Sequence, residues 1–315
     1  MNAVLFFLTL STVGTMLLYA VPGYLLIRCR VLKPENIHVL VKLLLYVNQT
    51  ALLFHSFLGV AATPEMLKHL ALTFLVAMAL LLGTFGVSWL LLHRRYESIP
   101  CRIYSIAVCL GNVGFFGIPL IEALLPDCPE AVAYAVPFSF ALNVFCWSLG
   151  AAVITGDRKY AKIQKALFNP ASIASLLGLL MVLMQWKLPA LLDSAIYTLG
   201  RMSTPMCLLI LGMRLADAGF WKIFRRWQLY LVALVKQMLV PFALLLCLRF
   251  MNAEPSWAMS VFLLSCCPCA SMVLNFAELL NAGQDTAADQ VLLSTLLSIL
   301  TIPVMVLLYQ TLMPL

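Results

Sequence analysis

Apolar residues fall into ten long blocks, near 4–27, 37–60, 69–92, 103–125, 130–155, 170–186, 191–214, 228–250, 257–280 and 286–312. Between blocks the chain turns briefly polar, with charged residues, proline or glycine. Most blocks reach the ~20 residues that cross ~30 Å of hydrocarbon as a helix, and in lipid a lone segment satisfies its own backbone only as a helix. The pattern predicts an all-α integral membrane protein with ten transmembrane helices. The first block has no Lys or Arg before it and is too long for a signal-peptide core, so it reads as a retained helix.

Charge between the blocks orients them. The odd-numbered connections carry Arg28, Arg30 and Lys33; Arg94, Arg95 and Arg102; Arg158, Lys159, Lys162 and Lys165; and Arg214, Lys222, Arg225 and Arg226. The alternate connections carry only Lys68, Lys187 and Arg249. Bases mark cytoplasmic loops, which places both termini outside the cytoplasm. The longest connection, 156–169, is basic and divides the chain into two halves, 1–155 and 170–315, of five spans each. Five is odd, so the second half enters the membrane in the opposite sense, as in transporters built from a 5+5 inverted repeat. Segments 105–125 and 260–280 overlay without gaps and end in Glu122-Ala-Leu-Leu and Ala277-Glu-Leu-Leu.

Those two segments are the fourth of each half, and both are interrupted. Span four reads Cys109-Leu-Gly111-Asn112-Val-Gly114-Phe-Phe-Gly117-Ile-Pro119, and span nine reads Ser265-Cys-Cys267-Pro268-Cys269-Ala-Ser271. Glycine and proline weaken a helix there, and the backbone groups they free are tolerated at membrane depth only inside protein or beside a wet cavity. Two broken helices that cross would aim two half-helix N-termini at one centre, a setting for a carboxylate. Asn112 can donate and accept there. The plainer alternative is a pair of kinks in packed helices.

Composition agrees with lipid as the main solvent: 63% of residues are hydrophobic and 10% charged, against roughly 25% charged in soluble domains. The net charge of +7 sits in loops, so no nucleic-acid partner is implied. Nearly all ten cysteines lie inside apolar runs, where they act as small hydrophobes. Cys266, Cys267 and Cys269 lack a zinc-site spacing, so neither metal nor other cofactor is expected. Ionisable residues within spans are candidate charge or proton-coupling groups: Glu122, Arg201, Lys236, Glu278 and His55. Each also has a structural reading, as a headgroup-reaching stem, a helix-to-helix pair or a packing histidine. Lys42 is read as headgroup-reaching, and Asp285 and Asp289 as acids at the start of span ten.

With these motifs on view, the chain resembles the auxin efflux carrier family, whose bacterial members include malonate and malate permeases. The resemblance runs through Gly111 to Pro119, Asn169-Pro-Ala-Ser-Ile-Ala-Ser-Leu-Leu-Gly178, Thr204-Pro-Met-Cys-Leu-Leu-Ile-Leu-Gly-Met-Arg-Leu-Ala216, Ala277-Glu-Leu-Leu-Asn-Ala-Gly283 and Leu293-Ser-Thr-Leu-Leu-Ser-Ile-Leu-Thr-Ile-Pro303. It implies a scaffold of spans 1, 2, 6 and 7, often dimeric, and a mobile unit of spans 3–5 and 8–10 that moves substrate in an elevator-like displacement. It also implies a site at Asn112 and Pro119 of the first crossing and Pro268 with its neighbours of the second. In span two, where the family commonly has proline, this chain reads Asn48-Gln-Thr50-Ala. Asn48, Thr50 and Thr204 complete the candidate substrate-binding set.

The expected function is a secondary transporter in a prokaryotic cytoplasmic membrane, moving a small organic anion such as a mono- or dicarboxylate by alternating access. No P-loop is present to bind ATP. Protons are preferred to sodium as the coupling ion because Glu122, Glu278 and His55 are at hand. Two other classes compete. An intramembrane enzyme acting on lipid would need its acids clustered, and here they are dispersed. A receptor that binds the anion without moving it would need an output domain, and the longest loop is 156–169.

Overall fold

The computed structural model describes residues 2–95, 97–218, 223–279 and 282–313. Lys222 of the basic pattern, and Leu280 and Asn281 of the motif ending at Gly283, lie outside the described residues. All regular structure among them is helical. Eight helices are long and apolar enough to cross a membrane: α1 (Val4–Arg28), α2 (Pro34–His55), α3 (Pro64–Arg95), α6 (Pro129–Thr155), α7 (Arg158–Leu183), α8 (Ala190–Asp217), α9 (Trp227–Phe250) and α12 (Gln284–Leu312). The fourth and ninth blocks each form two shorter helices, α4 (Ile99–Ala107) with α5 (Val113–Leu124), and α10 (Pro255–Cys266) with α11 (Ser271–Leu279).

Several helices begin where the chain offers a capping acceptor followed by proline, whose missing N–H would be an orphan in the first turn anyway. Thr63 accepts from the Met66 N–H (3.1 Å), and within α7 Asn169, whose extended backbone opens the stretch Pro170–Leu183, accepts from the Ser172 N–H (2.9 Å). Glu254 accepts from the N–H groups of Ser256 (2.9 Å) and Trp257 (2.6 Å). Partial burial works to raise the Glu254 carboxyl, but these bonds outweigh it and hold the group below the usual carboxylate range. Glu254→Ala is expected to cost about 1 kcal/mol, seen as a lower thermal midpoint in detergent. Because the folded value is depressed, the cap's contribution is present above about pH 4.3 and is lost as pH falls through the folded value.

Close approach through glycine joins α1, α2, α7 and α8. Gly23 lies against the Leu209 backbone and Gly212 against that of Ala20, Gly178 lies against Phe54, and Gly200 against Leu52. Asn48 adds a side-chain bond from α2 to α8, its Nδ2 donating to the Leu199 carbonyl (2.9 Å). Elsewhere Trp257 of α10 donates through Nε1 to Thr73 of α3 (2.8 Å) and stacks on His69, which Tyr134 of α6 also meets. Those contacts tie α3, α6 and α10 together. α12 starts at Gln284 behind left-handed Gly283, with Asp285 in its first turn. Asp289 lies one turn too deep to cap that end; it is buried and pairs with Arg226 at 3.0 Å.

Candidate functional site

The two interruptions meet. Between α4 and α5, and between α10 and α11, the chain leaves the helix, and Gly111 and Cys269 form an antiparallel bridge. The Asn112 N–H donates to the Pro268 carbonyl (2.8 Å) and the Ala270 N–H to the Leu110 carbonyl (3.0 Å). Proline at 268 offers no donor but its carbonyl is used, so the break is compatible with the bonding the crossing needs.

Several of the freed backbone groups find side chains, as a chain at membrane depth requires. The Cys269 N–H donates to Ser294 Oγ (3.1 Å) and Cys269 Sγ lies 3.2 Å from the Ala107 carbonyl. Cys267 Sγ approaches the Leu263 carbonyl (3.4 Å) and Cys109 Sγ that of Ser105 (3.2 Å). Lys236, buried on α9, donates from Nζ to the Ser265 carbonyl (2.9 Å). A widened, π-type turn over Val235–Leu239 carries that lysine, and such turns recur at functional sites. The thiols thus act as backbone donors. Among the described residues no group of three or more His, Cys, Asp or Glu side chains could hold a metal.

A small cavity lies against the crossing, lined on its polar side by Gln49, Asn112, Ser139, Asn143 and Ser271, and open at Gly114, where an added Cβ would meet nothing within 4 Å. The Ser139 hydroxyl is buried with no hydrogen-bond partner among the described residues. α11 begins at Ser271 and α5, in a widened turn, at Val113, so two helix N-termini border the space with their partial positive charge. Its volume is about 40 Å³, enough for roughly three waters at 10–15 Å³ each and too small for a dicarboxylate. The elements around it must shift to admit one.

Not every residue singled out from sequence reaches this cavity. Gly117 lies behind it, where an added Cβ would come within 2.8 Å of Leu264 and 3.0 Å of Cys267 Sγ. Pro119 and Thr204 line a different cavity, of about 410 Å³, together with Glu122 and Arg201. Asn48 serves the α2–α8 contact, and Thr50 returns its hydroxyl to the Tyr46 and Val47 carbonyls of its own helix (both 2.7 Å). His55 is half-exposed and sits 3.2 Å from Asp193. Arg201 pairs with Glu122 (3.5 Å) and Tyr197 (2.7 Å), and Glu278 pairs with Arg214. Sequence reading did not single out Gln49, Ser139 or Asn143 as site residues, and took Arg214 only as a loop base. Ser139 and Asn143 did leave a signal, two polar residues four apart on one face of an apolar span.

The model of a family described as membrane transport protein matches residues 9–306. A protein of Rhizobium meliloti (strain 1021) named "Putative malonate transporter" is 25% identical over 219 residues, covering 66% of this chain and 67% of that protein.

Proposed function

We propose that this chain, which belongs to the membrane transport protein family, is a secondary transporter that carries a small organic anion across the cell membrane by alternating access. The observation that carries the reading is the pairing of two interrupted helices by backbone hydrogen bonds, beside a polar cavity that two helix N-termini border. Unwound backbone at mid-span with half-helix N-termini turned inward suits a carboxylate. A mono- or dicarboxylate is the ligand class, and the name of the Rhizobium relative makes malonate the first one to try.

In this reading the chain is a ten-span 5+5 inverted repeat, divided at 156–169, with both termini outside the cytoplasm. The ungapped overlay of 105–125 on 260–280 supports it, since it lays Gly111–Pro119 of the first break over Cys266–Leu274 of the second. The glycine-packed α1, α2, α7 and α8 form the scaffold through which two copies pair. The remaining helices move against it as an elevator. Asn112 with Gln49, Ser139, Asn143 and Ser271 holds the substrate, and Glu122 and Glu278 are the sites of proton coupling.

The test is counterflow of labelled malonate, malate and an indole carboxylate in liposomes holding the parent or Asn112→Ala, with and without a pH gradient. The parent is expected to exchange at least one of them. Asn112→Ala removes a hydrogen bond to a charged ligand, about 1.5 kcal/mol or roughly tenfold in half-saturating concentration. Folded, inserted parent protein that exchanges none of the three, while still binding one, would point instead to a receptor.

A further inference from the structure

Two arginines of α8 stand at matched distances from the crossing. Cys207, whose Sγ is 3.8 Å from Ser271 Oγ, marks the level of the crossing on that helix. Arg201 lies six residues before it and Arg214 seven after, which at 1.5 Å per residue puts them about 9 and 10 Å to either side. Each meets a glutamate from beyond a break. Arg201 Nη1 is 3.5 Å from Glu122 Oε2 on α5, and Arg214 engages both carboxylate oxygens of Glu278 on α11.

The two ends differ in their packing. Arg214 holds Glu278 with two prongs, and the space between this pair and the crossing, lined by Phe115, Cys207, Ser271 and Asn275, amounts to about 20 Å³, one water's worth. Arg201 has a single long contact to Glu122. Two cavities of about 310 and 410 Å³ share both of these side chains, and such volumes lie in the range of small-molecule sites. Both bonds recorded for Arg201 leave from Nη1, so among the described residues its other N–H donors face no protein acceptor. A guanidinium has five donors in a fork that matches a carboxylate.

We propose that Arg201 and Arg214 are relay sites for the substrate's carboxylate, which competes at each with the glutamate carried by the neighbouring half-helix. This deepens, and rests on, the reading of the chain as an anion carrier. An anion arriving through the Arg201 cavities takes the guanidinium from Glu122 and so unties α5 from α8. At the opposite end the Arg214–Glu278 pair stays closed until an anion leaving the crossing displaces Glu278 in turn. A substrate carboxylate on the free donors of Arg201 adds a second negative charge beside Glu122, and the repulsion between the two weakens the α5–α8 tie as substrate arrives. The other groups facing Glu122 are Tyr197 and His55, the latter held by Asp193.

The test measures the half-saturating malonate concentration from each face of vesicles in which the protein has one orientation, with malonate binding to purified protein in detergent run in parallel. Glu122→Gln keeps the shape and removes the competitor. Read as exchange without a pH gradient, so that proton coupling does not enter, it is expected to lower half-saturation at least threefold at the Arg201 face and to shift the other face less. Glu278→Gln is expected to do the converse. Arg201→Gln should raise half-saturation about tenfold at its own face, with partial recovery in Arg201→Lys. A purely structural ion pair would move the thermal midpoint and leave these affinities alone. A parent that neither binds nor carries malonate, malate or the indole carboxylate refutes the carrier reading and the relay with it; where malate or the indole carboxylate is the one carried, the same measurements are made with that anion. A parent that carries malonate with the same half-saturation in Glu122→Gln and Arg201→Gln overturns the relay alone. If Arg201→Gln fails to insert, the isosteric Glu122→Gln decides.

Discussion

Gly212→Ala is expected to leave little folded protein, although it adds only a methyl group. The new Cβ would stand 1.8 Å from the Ala20 carbonyl oxygen and 2.7 Å from its carbon. Gly23 meets the same obstacle in reverse, 1.9 Å from the Leu209 oxygen. Both obstacles are helix backbone, so no rotamer change relieves them, and α1 and α8 would have to part by well over 1 Å. Lipid supplies no hydrophobic drive to hold helices together, and their association depends on van der Waals contact that small residues permit. Overpacking costs about 1–3 kcal/mol where side chains can yield, and against two rigid backbones the cost is set above that range. Gly83 is the control, since its Cβ would meet nothing within 4 Å. Gly83→Ala is expected to match or exceed the parent, because alanine is about 1 kcal/mol the better helix former. Recovery by size-exclusion chromatography and the thermal midpoint in detergent read both. A Gly212→Ala protein that melts with the parent would mean that the α1–α8 approach is not so close.

The parts of this molecule that were legible in its sequence are those governed by one-dimensional rules. Apolar runs of crossing length announce helices whatever their neighbours, and eight of the ten blocks became such helices. The two breaks were legible because glycine and proline act locally, and the crossing that joins them involves the residues of the Gly111–Asn112 and Pro268–Cys269 pairs. What a polar side chain does within a span depends on helix rotation and on the facing helix, and no local rule supplies either. Asn48 and Thr50 drew notice for interrupting an apolar run, yet Gln49 between them lines the cavity while Asn48 reaches α8 and Thr50 its own backbone. His55, read as a proton-coupling candidate or a packing histidine, is paired with Asp193 from a separate span. Arg214 was counted among the loop bases that orient the chain. It lies on α8, where it also reaches Glu278, and the count could not see this second role.

Lys236→Met is expected to weaken anion binding about thirtyfold and to leave the fold nearly as stable as before. Lys236 is 3% exposed, donates to the Ser265 carbonyl, and pairs with no carboxylate among the described residues. Its Nζ stands where the last carbonyls of α10 concentrate partial negative charge, and 3.3 Å from the place a Gly111 Cβ would occupy. Methionine would leave the Ser265 carbonyl short of a donor, about 1–3 kcal/mol, and would also relieve the burial of a charge, worth several kcal/mol in the opposite direction. Those two terms offset each other, so the thermal midpoint should move little. Binding has no such compensation. Gly111 lines the cavity, so an anion held there would lie on the order of 8 Å from Nζ, and a protonated lysine at that separation, at an effective dielectric near 20, would contribute about 2 kcal/mol, roughly a thirtyfold change in affinity. Isothermal calorimetry with malonate on the parent and the variant would separate the two effects. A variant that binds as the parent does would show that the helix N-termini at Val113 and Ser271 supply the attraction on their own.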